Sequence, residues 1–287
     1  MLLLGRLKQY ALLMRMHRPI GTLLLLWPTM VAVWLANAGS PSLKLVFIFA
    51  AGSLIMRSAG CVINDFADIE IDGHVDRTKQ RPLITGSVTT LEALLLFVVL
   101  LLMGFSLILL TNPMTIALSL IAAALAALYP FTKRFVQFPQ VILGAAFGWS
   151  IPMAFSASGA PLSAECWLLF FATLIWAIAY DTEYAMVDKQ YDMKIGVKST
   201  AILFGSWDKF WIGLCHIMML SLLAAVGLRL ELSEPFFIAL LIALGLALYQ
   251  QWLIRNRESA LCFKAFLNNQ WIGAVLFLGT LFSFLFS

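Results

Sequence analysis

Residues 43–72 read LKLVFIFAAGSLIMRSAGCVINDFADIEID. From Leu43 to Ile63 the run is apolar except for Lys44, Ser53, Arg57 and Ser58. It is long enough to cross a bilayer, which takes about 20 residues at about 1.5 Å each. It closes on Asn64, Asp65, Asp68 and Asp72. A carboxylate beside hydrocarbon is costly, and membrane proteins keep such groups for function. The apolar run from Trp167 to Tyr180 ends in the same way, on Asp181, Asp188 and Asp192 of the segment 181–192, DTEYAMVDKQYD. Six aspartates in two groups point to a site that gathers divalent cations.

The remainder of the chain fits this reading. Its 287 residues are 62% hydrophobic and 12% charged, which excludes an ordinary soluble domain. Nine apolar segments predict an all-α integral membrane protein with spans near 19–37, 43–66, 90–110, 113–131, 139–157, 165–185, 208–229, 235–254 and 267–286. Residues 1–18 mix leucines with Arg6, Lys8 and Arg15, as in an amphipathic helix on the membrane surface rather than a signal peptide. Thr111, Asn112 and Pro113 predict a tight helical hairpin. Gly144, Gly148 and Pro152 predict close packing and a kink in the fifth span. Several of the nine tryptophans stand near span ends, as in an interfacial belt. The four cysteines have no paired spacing and read as buried thiols. One membrane-embedded domain, 1–287, is expected.

Sixteen of the nineteen Lys and Arg residues lie in the N-terminal segment and in the loops after spans 2, 4, 6 and 8. The alternate loops hold only Lys44 and Arg229, and Arg57 lies inside span 2. The positive-inside rule therefore places the N-terminus in the cytoplasm. With nine spans the C-terminus is periplasmic. The aspartate groups close spans 2 and 6, so parity puts both on one side of the membrane, here the cytoplasmic side.

On a helix Asp65, Asp68 and Asp72 would share an arc of about 60°, and Asp181, Asp188 and Asp192 an arc of about 40°. Glu70 and Glu183 fall away from these faces and read as solvated bystanders. Clustered carboxylates need a cation to neutralise them. All-oxygen donors, with no His or Cys, suit Mg²⁺, whose shell is completed by water and substrate phosphate. Arg77, Lys79 and Arg81 follow the first group, and Lys194 and Lys198 the second. Carboxylates, metal and flanking cations together suit a departing diphosphate. An apolar bundle around them suits a lipid diphosphate. No nucleic-acid partner is expected.

The residues also resemble a known family. Asn64-Asp65-x-x-Asp68-x-x-x-Asp72 and Asp181-x-x-x-Ala185-x-x-Asp188-x-x-x-Asp192 are similar to the paired motifs of the UbiA superfamily of membrane prenyltransferases. So are Arg18-Pro19, Arg81-Pro82-Leu83, Tyr129-x-x-x-Lys133 and the run from Lys194 to Thr200. The stretches 140–155 and 180–204 resemble the bacterial 4-hydroxybenzoate branch. The resemblance implies nine helices around a central cavity, a cytoplasmic polar cap and a lateral opening to lipid. It implies Mg²⁺-dependent transfer of an all-trans polyprenyl group from polyprenyl diphosphate to the carbon ortho to the hydroxyl of 4-hydroxybenzoate, in ubiquinone synthesis at the bacterial inner membrane.

On this basis Asn64, Asp65, Asp68, Asp72, Asp188 and Asp192 are expected to hold two Mg²⁺ ions and the diphosphate. Asp181, about 10 Å deeper than Asp188 along a helix, is expected to stabilise the allylic cation or accept the ring proton. Arg77, Arg81, Lys133, Lys194 and Lys198 are candidate diphosphate contacts. Tyr129 is a candidate contact to the cation or leaving group. Arg57 and Arg134 compete, with Arg18 behind them, as partner of the acceptor carboxylate. Prenyltransferases with other acceptors remain open, as does a cation-coupled transporter, although transporters tend to place ionisable groups near the midplane.

Overall fold

The structure is a computed structural model that describes residues 2–73, 78–132 and 134–286. Among them every regular element is helical: α1 (Leu2–Leu13), α2 (Ile20–Ala36), α3 (Leu43–Ala67), α4 (Ile69–Asp72), α5 (Thr90–Ile108), α6 (Pro113–Thr132), α7 (Pro139–Gly148), α8 (Ser150–Ala157), α9 (Ala164–Ile195), α10 (Thr200–Leu203), α11 (Asp208–Arg229), α12 (Glu234–Leu253) and α13 (Ser259–Leu285), with two short 3₁₀ turns. Among the described residues eight helical segments are long and apolar enough to cross a membrane, α7 and α8 counting together as one. The ninth expected span, α2, has 17 residues. It reaches only about 25 Å at 1.5 Å per residue.

Helix α2 runs through the core, packed on α3, α8 and α13. Helix α9 packs on α7, α11 and α13, and α12 on α13. Helices α5 and α6 lean on α3 and present an apolar outer face that includes Leu95, Leu102, Leu120 and Leu128. Lipid is as apolar as leucine, so such faces remain uncovered, and association relies on close backbone approach and interhelical hydrogen bonds. A side-chain carbon at Gly144 would stand 2.7 Å from the Leu174 carbonyl oxygen, which is how α7 lies tight on α9. Hydroxyl pairs link other helices: Thr29 with Ser150, Thr115 with Ser156, and Ser233 with Ser283.

The local breaks have local causes. Asn112 caps α6 by accepting the Thr115 N–H at 2.9 Å, and its amide reaches the Ser156 carbonyl, so the hairpin forms as expected. The fifth span is interrupted between α7 and α8. Pro152 there has no N–H to offer the carbonyl one turn earlier. Helix α9 continues past the expected end at residue 185 to Ile195 and stops at Gly196, whose φ of 75° is left-handed. Helix α13 begins at Ser259, ahead of the expected 267.

One expectation needs correcting. The first aspartate group does not lie on one continuous helix. Helix α3 ends at Ala67, Asp68 caps it with φ −96° and ψ 5°, and the single turn α4 follows. The shared arc computed for Asp65, Asp68 and Asp72 therefore breaks at Asp68. The second group does lie on one helix, because α9 runs unbroken through Asp192.

Candidate active site

A cavity of about 520 Å³ runs into the bundle between α2, α3, α5, α6, α7, α8 and α9. Its mouth is polar, lined by Arg15, Arg18, Asn64, Asp181 and Tyr184. Farther in come Arg57, Thr29 and Ser53, then an apolar zone that includes Ile48, Phe49 and Met153. Leu102 of α5 and Leu120 of α6 line the cavity and are also 62% and 63% exposed on the bundle surface. The cavity thus reaches the lipid-facing side between these two helices.

Each aspartate group reaches this mouth through one member, Asn64 of the first motif and Asp181 of the second. Asp65, only 2% exposed, is ion-paired with Arg15 and, at 3.0 Å, with Arg81. Arg15 comes from the turn between α1 and α2, where its φ of 55° lies in the left-handed region. Burial opposes the Arg15 charge, but the adjoining Asp65 carboxylate, together with Cys61 and Tyr184, holds the guanidinium above its ordinary pKa. Buried Asp68 accepts the Asn64 amide at 3.1 Å. Across the cavity Asp181 is half-buried on α9. Tyr129 on α6 lies within electrostatic range of both Asp181 and Asp68, so the end of α3 and the middle of α9 face a common place. Tyr180, Tyr184 and Phe266 form an aromatic wall beside Asp181, with the Tyr184 and Phe266 centroids 4.8 Å apart.

Several other expected site residues stand apart from the cavity. Asp188 and Asp192 are half-buried about two and three turns beyond Asp181 along α9, and Lys194 is exposed near its end. Lys198 donates to the Phe135 carbonyl at 2.9 Å, tying the segment after α9 to the α6–α7 turn. Arg134 donates to the Ala67 carbonyl and lies 4.0 Å from Glu70, so it braces the end of α3. Arg57 lines the cavity, and among the described residues no hydrogen bond or ion pair engages its guanidinium. Arg77 and Lys133 lie outside the described residues, as does the side chain of Asp72.

The expectation that Glu183 is a solvated bystander is wrong. Glu183 is fully buried on α9, where its carboxylate accepts the Asn269 amide at 2.8 Å. Asn269 in turn accepts the Trp176 indole N–H at 2.8 Å. Facing away from the aspartates meant facing α13, not water. Glu70 does face water, 81% exposed.

The mouth's donors fit a hard divalent cation. They are amide and carboxylate oxygens, and among the described residues no histidine lines the cavity, with Cys61 the one thiol there. Among the described residues no three His, Cys, Asp or Glu side chains converge as a cage. Mg²⁺ seldom needs a cage, since it uses one or two carboxylates and completes its shell with water and substrate phosphate. Arg15, Tyr180 and Tyr184 were not singled out as site residues from the sequence. Arg15 carried only the charge pattern of the N-terminal segment, and the tyrosines resembled ordinary span-end aromatics.

The sequence profile of the UbiA prenyltransferase family matches residues 25–281. The chain belongs to the UbiA prenyltransferase family. It is 56% identical over 273 residues to the 4-hydroxybenzoate octaprenyltransferase of Alkalilimnicola ehrlichii, covering 95% of this chain and 93% of that protein. It is 52% identical to the enzyme of the same name from Coxiella burnetii, covering 96% of each chain. Among solved structures, an apo UbiA homolog from Aeropyrum pernix K1 superposes with a TM-score of 0.80 at 24% identity, covering 90% of this chain and 96% of that one. A UbiA homolog from Archaeoglobus fulgidus, bound to GPP and Mg²⁺, gives 0.72 at 21% identity, covering 93% and 99%. The multi-span helical UbiA fold is thus shared across distant sequences.

Proposed function

We propose that this chain transfers a polyprenyl group from polyprenyl diphosphate to the carbon ortho to the hydroxyl of 4-hydroxybenzoate, releasing diphosphate, in ubiquinone biosynthesis. The observation that carries this reading is one cavity joining a carboxylate-and-arginine mouth to an apolar interior open towards lipid. High identity over nearly the whole length to proteins named 4-hydroxybenzoate octaprenyltransferase favours this acceptor and a long donor chain. We place the chain in a bacterial inner membrane, with α2 as a ninth span. The distribution of Lys and Arg supports a cytoplasmic mouth and N-terminus and a periplasmic C-terminus.

Asn64, Asp65, Asp68, Asp72, Asp188 and Asp192 would hold Mg²⁺. The bound metal would neutralise the diphosphate and stabilise it as a leaving group. Arg15 and Arg81 bring two positive charges to the same mouth, with Arg77, Lys133, Lys194 and Lys198 as further diphosphate contacts. The prenyl C1–O bond breaks and its electron pair leaves with diphosphate. Asp181 and the faces of Tyr129 and Tyr180 stabilise the allylic cation. The ring carbon of the acceptor supplies the pair for the new C–C bond, and its proton passes to Asp181. Arg57, which lines the cavity deeper than Arg15 and Arg18 at the mouth, binds the acceptor carboxylate; Arg134 is engaged at the end of α3 and serves that helix instead.

The test is product formation by Asp68→Ala and Asp188→Ala at saturating Mg²⁺. Both are expected to lose at least about 100-fold in kcat, as for removal of a strong electrostatic stabiliser. Near-normal turnover in both would refute the metal role. Detergent-solubilised protein that forms product without a gradient would also exclude the transporter reading.

A further inference from the structure

Gly21 stands in the first turn of α2 and is buried. A side-chain carbon built there would lie 2.1 Å from Arg57 Nε, 2.5 Å from Nη2 and 2.6 Å from Cζ. All three nearest atoms belong to one guanidinium. This differs from Gly144, where the nearest atoms are the backbone of Leu174 and the vacancy serves helix contact. At Gly21 the missing side chain serves another residue's head group.

We propose that Gly21 is the positioning residue for Arg57 and thereby determines specificity for a carboxylate-bearing acceptor. This rests on the reading of Arg57 as the acceptor's partner. Arg57 sits about 12 Å inward of Asp65 along α3 at about 1.5 Å per residue. Its long side chain has many rotamers there, and a bidentate contact to a carboxylate needs a fixed plane. The hollow over Gly21 receives the Nε–Nη2 edge of the guanidinium, both nitrogens lying nearer the built carbon than Cζ does, and so holds the head group in one place on the cavity wall. A methyl group at 21 would push it back by about 1.5 Å to reach ordinary van der Waals separation. A misplacement of about 1 Å in a positioned group can cost about 100-fold.

The fold itself has little reason to resist the methyl. Alanine favours a helix over glycine. The obstructing atoms are the end of a flexible side chain, which can swing away. Gly21→Ala should therefore fold normally and fail at acceptor binding.

The experiment uses the full-length protein in detergent with Mg²⁺ and polyprenyl diphosphate. It compares wild type, Gly21→Ala, Arg57→Ala, Arg57→Lys and the Gly21→Ala/Arg57→Ala double variant. Acceptors are 4-hydroxybenzoate and its uncharged methyl ester. Gly21→Ala is expected to raise KM for 4-hydroxybenzoate about 10- to 100-fold, as for a lost charge-assisted hydrogen bond. KM for the diphosphate and kinetics with the methyl ester should stay within about threefold of wild type. Arg57→Ala removes every atom that meets the methyl, so Gly21→Ala should add little to it, a strong departure from additivity. Additive losses, an equal loss with the methyl ester, or a Tm well below wild type would overturn the proposal. If Arg57→Ala raises the acceptor KM but Gly21→Ala does not, the Gly21 inference fails while the role of Arg57 stands. If Arg57→Ala leaves that KM unchanged, the acceptor role fails first, and the Gly21 inference with it.

Discussion

Replacing Asn269 by leucine should destabilise the bundle by about 2–4 kcal/mol, although Asn269 touches no part of the cavity. Its side chain is fully buried on α13 and joins two residues of α9: it accepts from Trp176 and donates to Glu183, each at 2.8 Å. Its amide also reaches the carbonyls of Ala265 and Phe266 on its own helix. Leucine removes both interhelical bonds. In membranes such bonds average about 0.6 kcal/mol each, which alone gives about 1.2 kcal/mol. The larger loss is what remains: a carboxyl and an indole N–H buried in hydrocarbon, at about 1–3 kcal/mol for each unsatisfied group. Membrane-unfolded chains also find partners for polar groups, which keeps the total near the lower end of the sum. The assay is reversible unfolding in mixed micelles with increasing SDS. Glu183→Leu/Asn269→Leu should recover at least about 1 kcal/mol relative to Asn269→Leu, because removing both partners leaves fewer orphans. Glu183→Gln keeps an oxygen for Asn269, and no cation among the described residues depends on the carboxylate, so it should remain within about 1 kcal/mol of wild type. An Asn269→Leu variant within about 0.5 kcal/mol of wild type, below a single average interhelical bond, would refute this account. So would a double variant as unstable as the two single losses added together.

Two further outcomes follow from packing and from the mouth's chemistry. Gly144→Ala meets the Leu174 backbone at 2.7 Å and should destabilise by about 1–3 kcal/mol through overpacking, whereas Gly245→Ala meets open space and should be neutral or stabilising by up to about 1 kcal/mol, both read from the same SDS unfolding curves. Stripping divalent ions with EDTA should abolish prenyl transfer, with activity restored by added Mg²⁺ and not by Na⁺ of equal ionic strength; transfer that persists in EDTA would remove the metal from the reaction.

The sequence alone determined what lipid and charge impose directly. Apolar runs of the right length became helices because backbone groups in hydrocarbon must bond within their own segment. Asn112-Pro113 and Pro152 punctuated them for equally local reasons. The two aspartate groups were legible because charge at the end of an apolar run is anomalous wherever it occurs. Tertiary structure decided what depends on neighbours from distant parts of the chain. Helical phase alone could say that Glu183 faces away from the aspartates; only the position of α13 turned that direction into burial against Asn269. Arg15, an apparent topology charge, became the partner of Asp65 through a left-handed turn between two helices. Only the packed bundle shows that Arg57 lines the cavity while Arg134 reaches the end of α3, the difference that supports the role proposed for Arg57. Periodicity gives each residue a direction around its own helix, and only the packed bundle determines what lies in that direction.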